Sequence, residues 1–128
     1  MSGGYLVDTN IVSAYFAGEK AIFYKFREAE ILIPSPVVGE IFTWGYVPPL
    51  RRERLRSVRM LLSSVPVLWP DFKTGELFGR IYVDLEGRGR MIQQNDIWIA
   101  ALALQHGYTV ASRDSDFERV TGLKLEKW

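Results

Sequence analysis

The chain has 128 residues, 48% of them apolar, and a formal net charge of +1 at pH 7. That length suits one compact domain with a real core, residues 1–128, and the near-neutral balance carries no global signature of nucleic-acid binding. The absence of cysteine excludes disulfides, thiolate nucleophiles and thiolate metal sites, and the single histidine, His106, excludes multi-histidine metal sites, so metal chemistry would rest on oxygen ligands.

The apolar run at residues 5–7 reads as a first strand, ending on Asp8. Asp8-Thr9-Asn10 reads as a turn, with Asn10 the expected cap of a helix over residues 11–16 that stops at Gly18. A second helix is expected over residues 21–29 and a strand over 31–33. Ser35-Pro36 reads as a helix start, with Ser35 the N-cap and Pro36 the first helical residue. That helix carries Glu40 and should end near Trp44, before Pro48-Pro49. A basic helix over residues 51–63 turns Leu55, Val58, Leu61 and Leu62 inward and its arginines outward. Residues 67–69 suggest a short strand and residues 72–85 a helix, broken by Gly87-Arg88-Gly89-Arg90. A helix from Asp96 places Ile97, Ala100, Ala101 and Leu104 on one face and stops at His106-Gly107. Strands are expected at residues 109–112 and 123–125. Short apolar strands alternating with helices imply an α/β fold with a central, mainly parallel sheet flanked by helices. The start, Met1-Ser2-Gly3-Gly4, lacks a basic region before an apolar stretch, and no apolar run nears the ~20 residues that span a bilayer. A cytoplasmic protein without membrane contact is the expectation.

Four acids fall where such a fold could gather them. Asp8 and Asp114 each follow a strand, Asp96 stands at a helix start, and Glu40 lies among apolar residues of its helix. Open parallel sheets bind ligands beyond the carboxyl ends of their strands. Carboxylates crowded there repel one another, and a hard divalent cation, Mg²⁺ or Mn²⁺, is the simplest compensation. Asp8 and Asp96 are the expected direct ligands; Asp114 and Glu40 would act through water, orienting a nucleophile or holding a second ion. Thr9, Asn10, Ser112 and Asp116 support this set. Such a site suits hydrolysis at phosphorus. Arg51 and Arg52, on the basic helix, and Arg88 and Arg90, beside glycines, are candidate contacts to a phosphate backbone.

The segments Leu6-Val7-Asp8-Thr9-Asn10-Ile11, Glu40, Asn95-Asp96-Ile97-Trp98-Ile99-Ala100-Ala101-Leu102-Ala103 and Ser112-Arg113-Asp114-Ser115-Asp116-Phe117 occur in an order that resembles the PIN-domain ribonucleases. The short length and the ending Gly122-Leu123-Lys124-Leu125-Glu126-Lys127-Trp128 resemble their VapC-type toxins. The resemblance implies a PIN-like three-layer fold and a Mg²⁺- or Mn²⁺-dependent endoribonuclease that leaves a 5′-phosphate and a 3′-hydroxyl. It further implies a homodimer and a VapB-type antitoxin whose C-terminal segment occupies a groove near the site. One departure concerns the last acid: many relatives of the toxin type carry Asn at the position of Asp114 and an acid at that of Asp116; Asp114 is taken here as the fourth acid, with Asp116 as its substitute.

Each feature also has an ordinary reading. Asp8 or Asp96 alone is a helix cap, Asp114-Ser115-Asp116 a turn, and the arginine helix a solvated face. The aromatic stretch Trp44–Pro49 reads as core or as an anchor for the antitoxin. The competing function is a catalytically silent interaction module of the same fold. A phosphoacceptor receiver domain lacks a lysine near the 109–112 strand end, and a haloacid-dehalogenase-type phosphatase would want Asp where Asn10 stands.

Overall fold

Five strands form one parallel sheet in the order β3-β2-β1-β4-β5. The structure, a computed structural model, describes residues 3–128; Met1 and Ser2, on which the reading of the chain start partly rests, lie outside them. The strands are β1 (Tyr5–Val7), β2 (Ile31–Pro34), β3 (Val67–Leu68), β4 (Thr109–Ser112) and β5 (Leu125–Lys127). Between them run α1 (Thr9–Phe16), α2 (Lys20–Glu28), α3 (Ser35–Tyr46), α4 (Arg51–Ser64), α5 (Phe72–Gly87) and α6 (Gln94–His106), with a 3-10 helix at Ser115–Arg119. Central strands β1, β2 and β4 are almost wholly buried, which is why they read as unbroken apolar runs rather than alternating ones. Among the described residues no helix is long and apolar enough to cross a membrane.

Strand order reverses at β1: the chain moves outward through β2 and β3, then returns to place β4 on the other side of β1. The crevice at the carboxyl ends of β1 and β4 is therefore the switch point, where open α/β sheets bind ligands. Asp8 directly follows one of these strands, and Ser112 ends the other.

Local boundaries depart from the sequence reading in instructive ways. The first helix starts at Thr9, because Asp8 has extended backbone and its carboxylate accepts the Ile11 N–H at 3.1 Å. Asp8, not Asn10, is thus the cap. Pro34 takes the N-cap position of α3, so Ser35 and Pro36 are its first two helical residues and Ser35 caps nothing. Helix α6 opens two residues before Asp96, with Gln93 as N-cap. The last strand lies at Leu125–Lys127 rather than 123–125: Gly122 turns the chain at φ +81°, and Leu123 packs against the core before pairing begins. Gly107 ends α6 at φ +74°, the left-handed cap its sequence announces.

Helix α6 is buried on more than the one face read from its sequence. Ile99, Leu102 and Ala103 join the cluster that covers the sheet, while Ile97, Ala100 and Ala101 pack with Ile81 and Leu85 of α5. The helix lies between the sheet and α5, which rigidly places its first turn at the switch point. Leu102 is 0% exposed and Leu104 only half-buried. Leu102→Ala should therefore cost about 2–5 kcal/mol of unfolding free energy in a urea titration, whereas Leu104→Ala should cost clearly less. Equal losses would contradict this placement of α6.

Candidate active site

A polar cavity of about 130 Å³ opens at the switch point, lined by Asp8, Thr9, Asn10, Glu40, Gln93, Asp96, Ile99 and Asp114. All four sequence-derived acids meet there. Asp8 arrives from the end of β1, Glu40 from the second turn of α3, Asp96 from the first turn of α6, and Asp114 from just beyond β4. Glu40 reaches the cavity because α3 leaves β2 at this edge and packs against both α1 and α6.

Hydrogen bonds fix the two strand-end acids in series. Asp8, 5% exposed, accepts the Ile11 N–H on Oδ1 and the Ser112 hydroxyl on Oδ2 at 2.5 Å. Ser112 Oγ, itself buried, accepts the Asp114 N–H at 2.9 Å. Asp114 Oδ1 then accepts the Asp116 N–H at 2.9 Å and so caps the 3-10 helix. Phe117, 0% exposed, anchors that short helix in the core. Across the cavity, the Thr9 hydroxyl donates to Glu40 Oε1 at 2.5 Å. The Asp96 carboxylate receives no hydrogen bond among the described residues.

Asp116 does not line the cavity; Arg119 holds it at 3.3 Å. Of the two acids left as alternatives by the sequence, Asp114 lines the cavity, while Asp116 stands outside it, near enough for its charge to act on Asp96. Asn10 lines the cavity rather than capping α1. Gln93, which sequence reasoning missed, enters the cavity wall as the residue capping α6; an uncharged residue outside any helix pattern carries no local signal of this kind. Arg113 was also passed over. Its guanidinium clamps Glu19 through two hydrogen bonds, at 2.7 and 3.1 Å, and donates to the Trp128 carbonyl oxygen, which braces the segment between Ser112 and Asp114.

The proposed basic contacts divide. Arg51 Nε donates to the Tyr46 carbonyl oxygen at 2.9 Å and so ties α4 to the end of α3. Arg88 pairs with Asp84 at 2.7 Å and donates to the Arg119 carbonyl oxygen at 2.6 Å. Each of these two guanidinium groups is thus partly engaged within the fold, while both residues stay exposed. Arg52 and Arg90 are exposed and have neither a side-chain hydrogen bond nor an ion pair among the described residues. Trp44 is half-covered, stacked on Phe16 at 4.8 Å with Arg54 over its ring, while Tyr46, Val47 and Leu50 stand exposed.

Burial and like charge raise the pKa values here. Burial is the main cause of the upward shift of Asp8, opposed by its hydrogen bonds from Ser112 and Ile11. Asp96 is pushed from 3.8 up to about 6, first by burial and then by the negative charges of Asp114, Asp8, Glu40 and Asp116. The donor set is all oxygen, and its mutual repulsion is what a hard divalent cation would cancel. Among the described residues no three such side chains close around a common point by themselves. A cation of the Mg²⁺ kind does not require that, because it commonly keeps several waters and takes one or two carboxylates directly.

The chain matches the PIN domain family over residues 5–123. It is 29% identical over 128 residues to "Ribonuclease VapC2" of Haemophilus influenzae, with 97% of each chain covered. Among solved structures, it is similar to VapBC from Salmonella typhimurium, described as DNA bound, with a TM-score of 0.91 at 23% identity, covering 100% of this chain and 99% of that one. VapBC2 from Rickettsia felis, bound to a promoter DNA fragment, gives a TM-score of 0.89 at 24% identity with 98% of both chains covered. At that identity the structural likeness establishes the fold.

The displaced acidity of Asp96 predicts a stability signature. Its folded-state value, about 6, exceeds the ordinary 3.8, so its protonation stabilises the fold below that window and the benefit is lost as pH rises through 6. In chelator at about pH 7.5, Asp96→Asn should raise the unfolding free energy by about 1–2 kcal/mol, after discounting for partial solvent screening. The gain should fade as pH falls from 6 towards 3.8. A pH-independent difference in denaturant unfolding would refute the assignment.

Proposed function

This chain belongs to the PIN-domain family, and we propose that it is a VapC-type toxin: a divalent-metal-dependent endoribonuclease that hydrolyses RNA phosphodiester bonds and is held inactive by a VapB-type antitoxin. The observation that carries this reading is the convergence of Asp8, Glu40, Asp96 and Asp114 on one cavity at the switch point. Relatives named as ribonucleases, matched along 97% of their length, support the choice of RNA. Structures of VapB–VapC complexes that share the fold support the antitoxin.

Asp8 and Asp96 are the residues to hold Mg²⁺ or Mn²⁺ directly, with Asp114 completing the metal-binding set through water. When bound, such an ion stabilises negative charge on the attacked phosphodiester and acidifies the attacking water. The chain's own groups do the rest. Ser112 and the Ile11 N–H aim the Asp8 carboxylate and oppose the upward pull of burial on its pKa. Glu40, oriented by Thr9, is placed to take a proton from the incoming water and align it with phosphorus. Asp114 is kept in place by the Asp116 N–H and Ser112. Gln93 and Asn10 offer uncharged donors at the rim, where a ribose or phosphate oxygen would lie.

We assign the exposed apolar group Tyr46, Val47 and Leu50 to antitoxin contact. A homodimer is proposed as well, supported by the exposed Trp69 just after β3 and the exposed Phe72 and Val83 of α5. A silent binding module of this fold would have no use for four carboxylates that repel one another.

Purified protein with Mg²⁺ or Mn²⁺ should cleave RNA to 5′-phosphate ends, and chelator should stop it. Asp8→Asn and Asp96→Asn should leave no detectable cleavage while remaining folded by circular dichroism. Ser112→Ala should lower kcat by about 10–100-fold, the usual effect of losing a group that orients a metal-binding carboxylate. Cleavage that persists in chelator, or in Asp8→Asn, would leave the silent module as the better reading.

A further inference from the structure

We propose a second RNA contact site, built from Arg52, Arg56 and Arg59 on the outer face of α4, that binds the phosphate backbone of the substrate away from the cleavage cavity; this rests on the ribonuclease reading above. The five arginines of α4 do two jobs. Arg51 and Arg54 turn back to the end of α3, donating to the carbonyl oxygens of Tyr46 and Val47 at 2.9 and 3.3 Å. The other three lie at positions i, i+4 and i+7, opposite the buried Leu55, Val58 and Leu61. All three are exposed, and together with Met60 and Ser63 they line one open depression of about 400 Å³. Among the described residues no acid pairs with any of them; Glu53, the one carboxylate on the helix, makes no ion pair.

The arrangement selects its ligand. Four residues of α-helix advance about 6 Å and seven about 10 Å. Cations strung out over that length do not converge on a single anion. They suit an extended strand of regularly spaced negative charges. Besides the three arginines, the depression is lined only by Met60 and Ser63. The cleavage cavity meanwhile offers little attraction of its own: its four acids repel a phosphate backbone, one divalent cation would offset only part of their charge, and the whole chain carries only +1. Attraction for RNA has to come from a separate surface. Helix α4 is well placed for this. It is packed against α3, which carries Glu40, and its first turn is locked to the end of α3 by Arg51 and Arg54.

The test uses full-length protein and two readouts. Binding of a fluorescein-labelled RNA of about 30 nucleotides is measured by anisotropy in the inactive Asp96→Asn background, across a salt series. Neutralising Arg52→Gln, Arg56→Gln and Arg59→Gln together should weaken binding about 10–100-fold at moderate salt and reduce the slope of log K against log salt by about 2. In the active protein the same triple change should raise KM for long RNA with little change in kcat, and should not alter cleavage of an oligonucleotide too short to reach α4. Replacing the three by Lys should restore most of the affinity, and neutralising Lys73 and Arg80 on α5 should have little effect. An unchanged salt slope in the Gln variant with an intact melting temperature overturns the proposal. So does a Gln variant that binds RNA normally but loses affinity for poly(Glu), which would mark the face as a docking site for an acidic protein segment. Absence of any cleavage by the unsubstituted protein with metal would instead overturn the ribonuclease reading, and the binding series would still decide the α4 site.

Discussion

The hydrogen bond from Ser112 to Asp8 is the constraint on which the site rests. It joins the ends of two neighbouring parallel strands that are 104 residues apart in sequence, at 2.5 Å and out of contact with solvent. A buried carboxylate is costly unless its lone pairs are used. Here one oxygen receives the α1 backbone and the other receives β4. The same Ser112 oxygen accepts the Asp114 N–H, so a single hydroxyl sets the relative positions of two site acids. Everything else around the cavity is arranged with respect to that pair.

Asp96 is under the opposite condition. It has half-buried surroundings, four acidic neighbours and no hydrogen bond to its carboxylate among the described residues, which is why it is displaced to about 6. Within one cavity, then, one acid is held ready by the protein and another is left for an external charge to satisfy. On the proposed function, that asymmetry would give the site affinity for a cation at the expense of the metal-free fold, the familiar relation between function and local stability. The packing of α6 between the sheet and α5 keeps Asp96 from moving away from its neighbours.

Cations follow a similar division. Arg51, Arg54, Arg88, Arg113 and Arg119 are used internally, on carbonyl oxygens or carboxylates that brace the α3–α4 turn and the two segments flanking the 3-10 helix. Arg52, Arg56 and Arg59 are not. A chain of nearly zero net charge thus separates its signs in space, with acids at the strand ends and a basic strip on an outer helix. Mean charge conceals this, and it is the local field that a polyanion meets.

Much of the architecture could be read from local pattern. Apolar runs of strand length, Gly107 after a periodic helix, and the stop at Gly18 depend on residues within a few positions of one another, so element order and the parallel α/β class follow from the sequence alone. The four acids were legible for the same reason: each stands at the end of an element or inside an apolar run, where a charge needs an explanation. Composition also determined that only oxygen donors were available. Tertiary structure decided the rest, because the deciding partners are distant in the chain. Asp114 faces the cavity and Asp116 does not, since Arg119 draws Asp116 aside. Gln93 belongs to the site only because α6 is delivered there by α5 and the sheet. Arg88 reaches a carbonyl oxygen 31 residues away, and Arg51 the end of the preceding helix. Sequence assigns a side chain its chemistry; which of those groups remain free to act is settled when the chain folds and long-range partners claim the others.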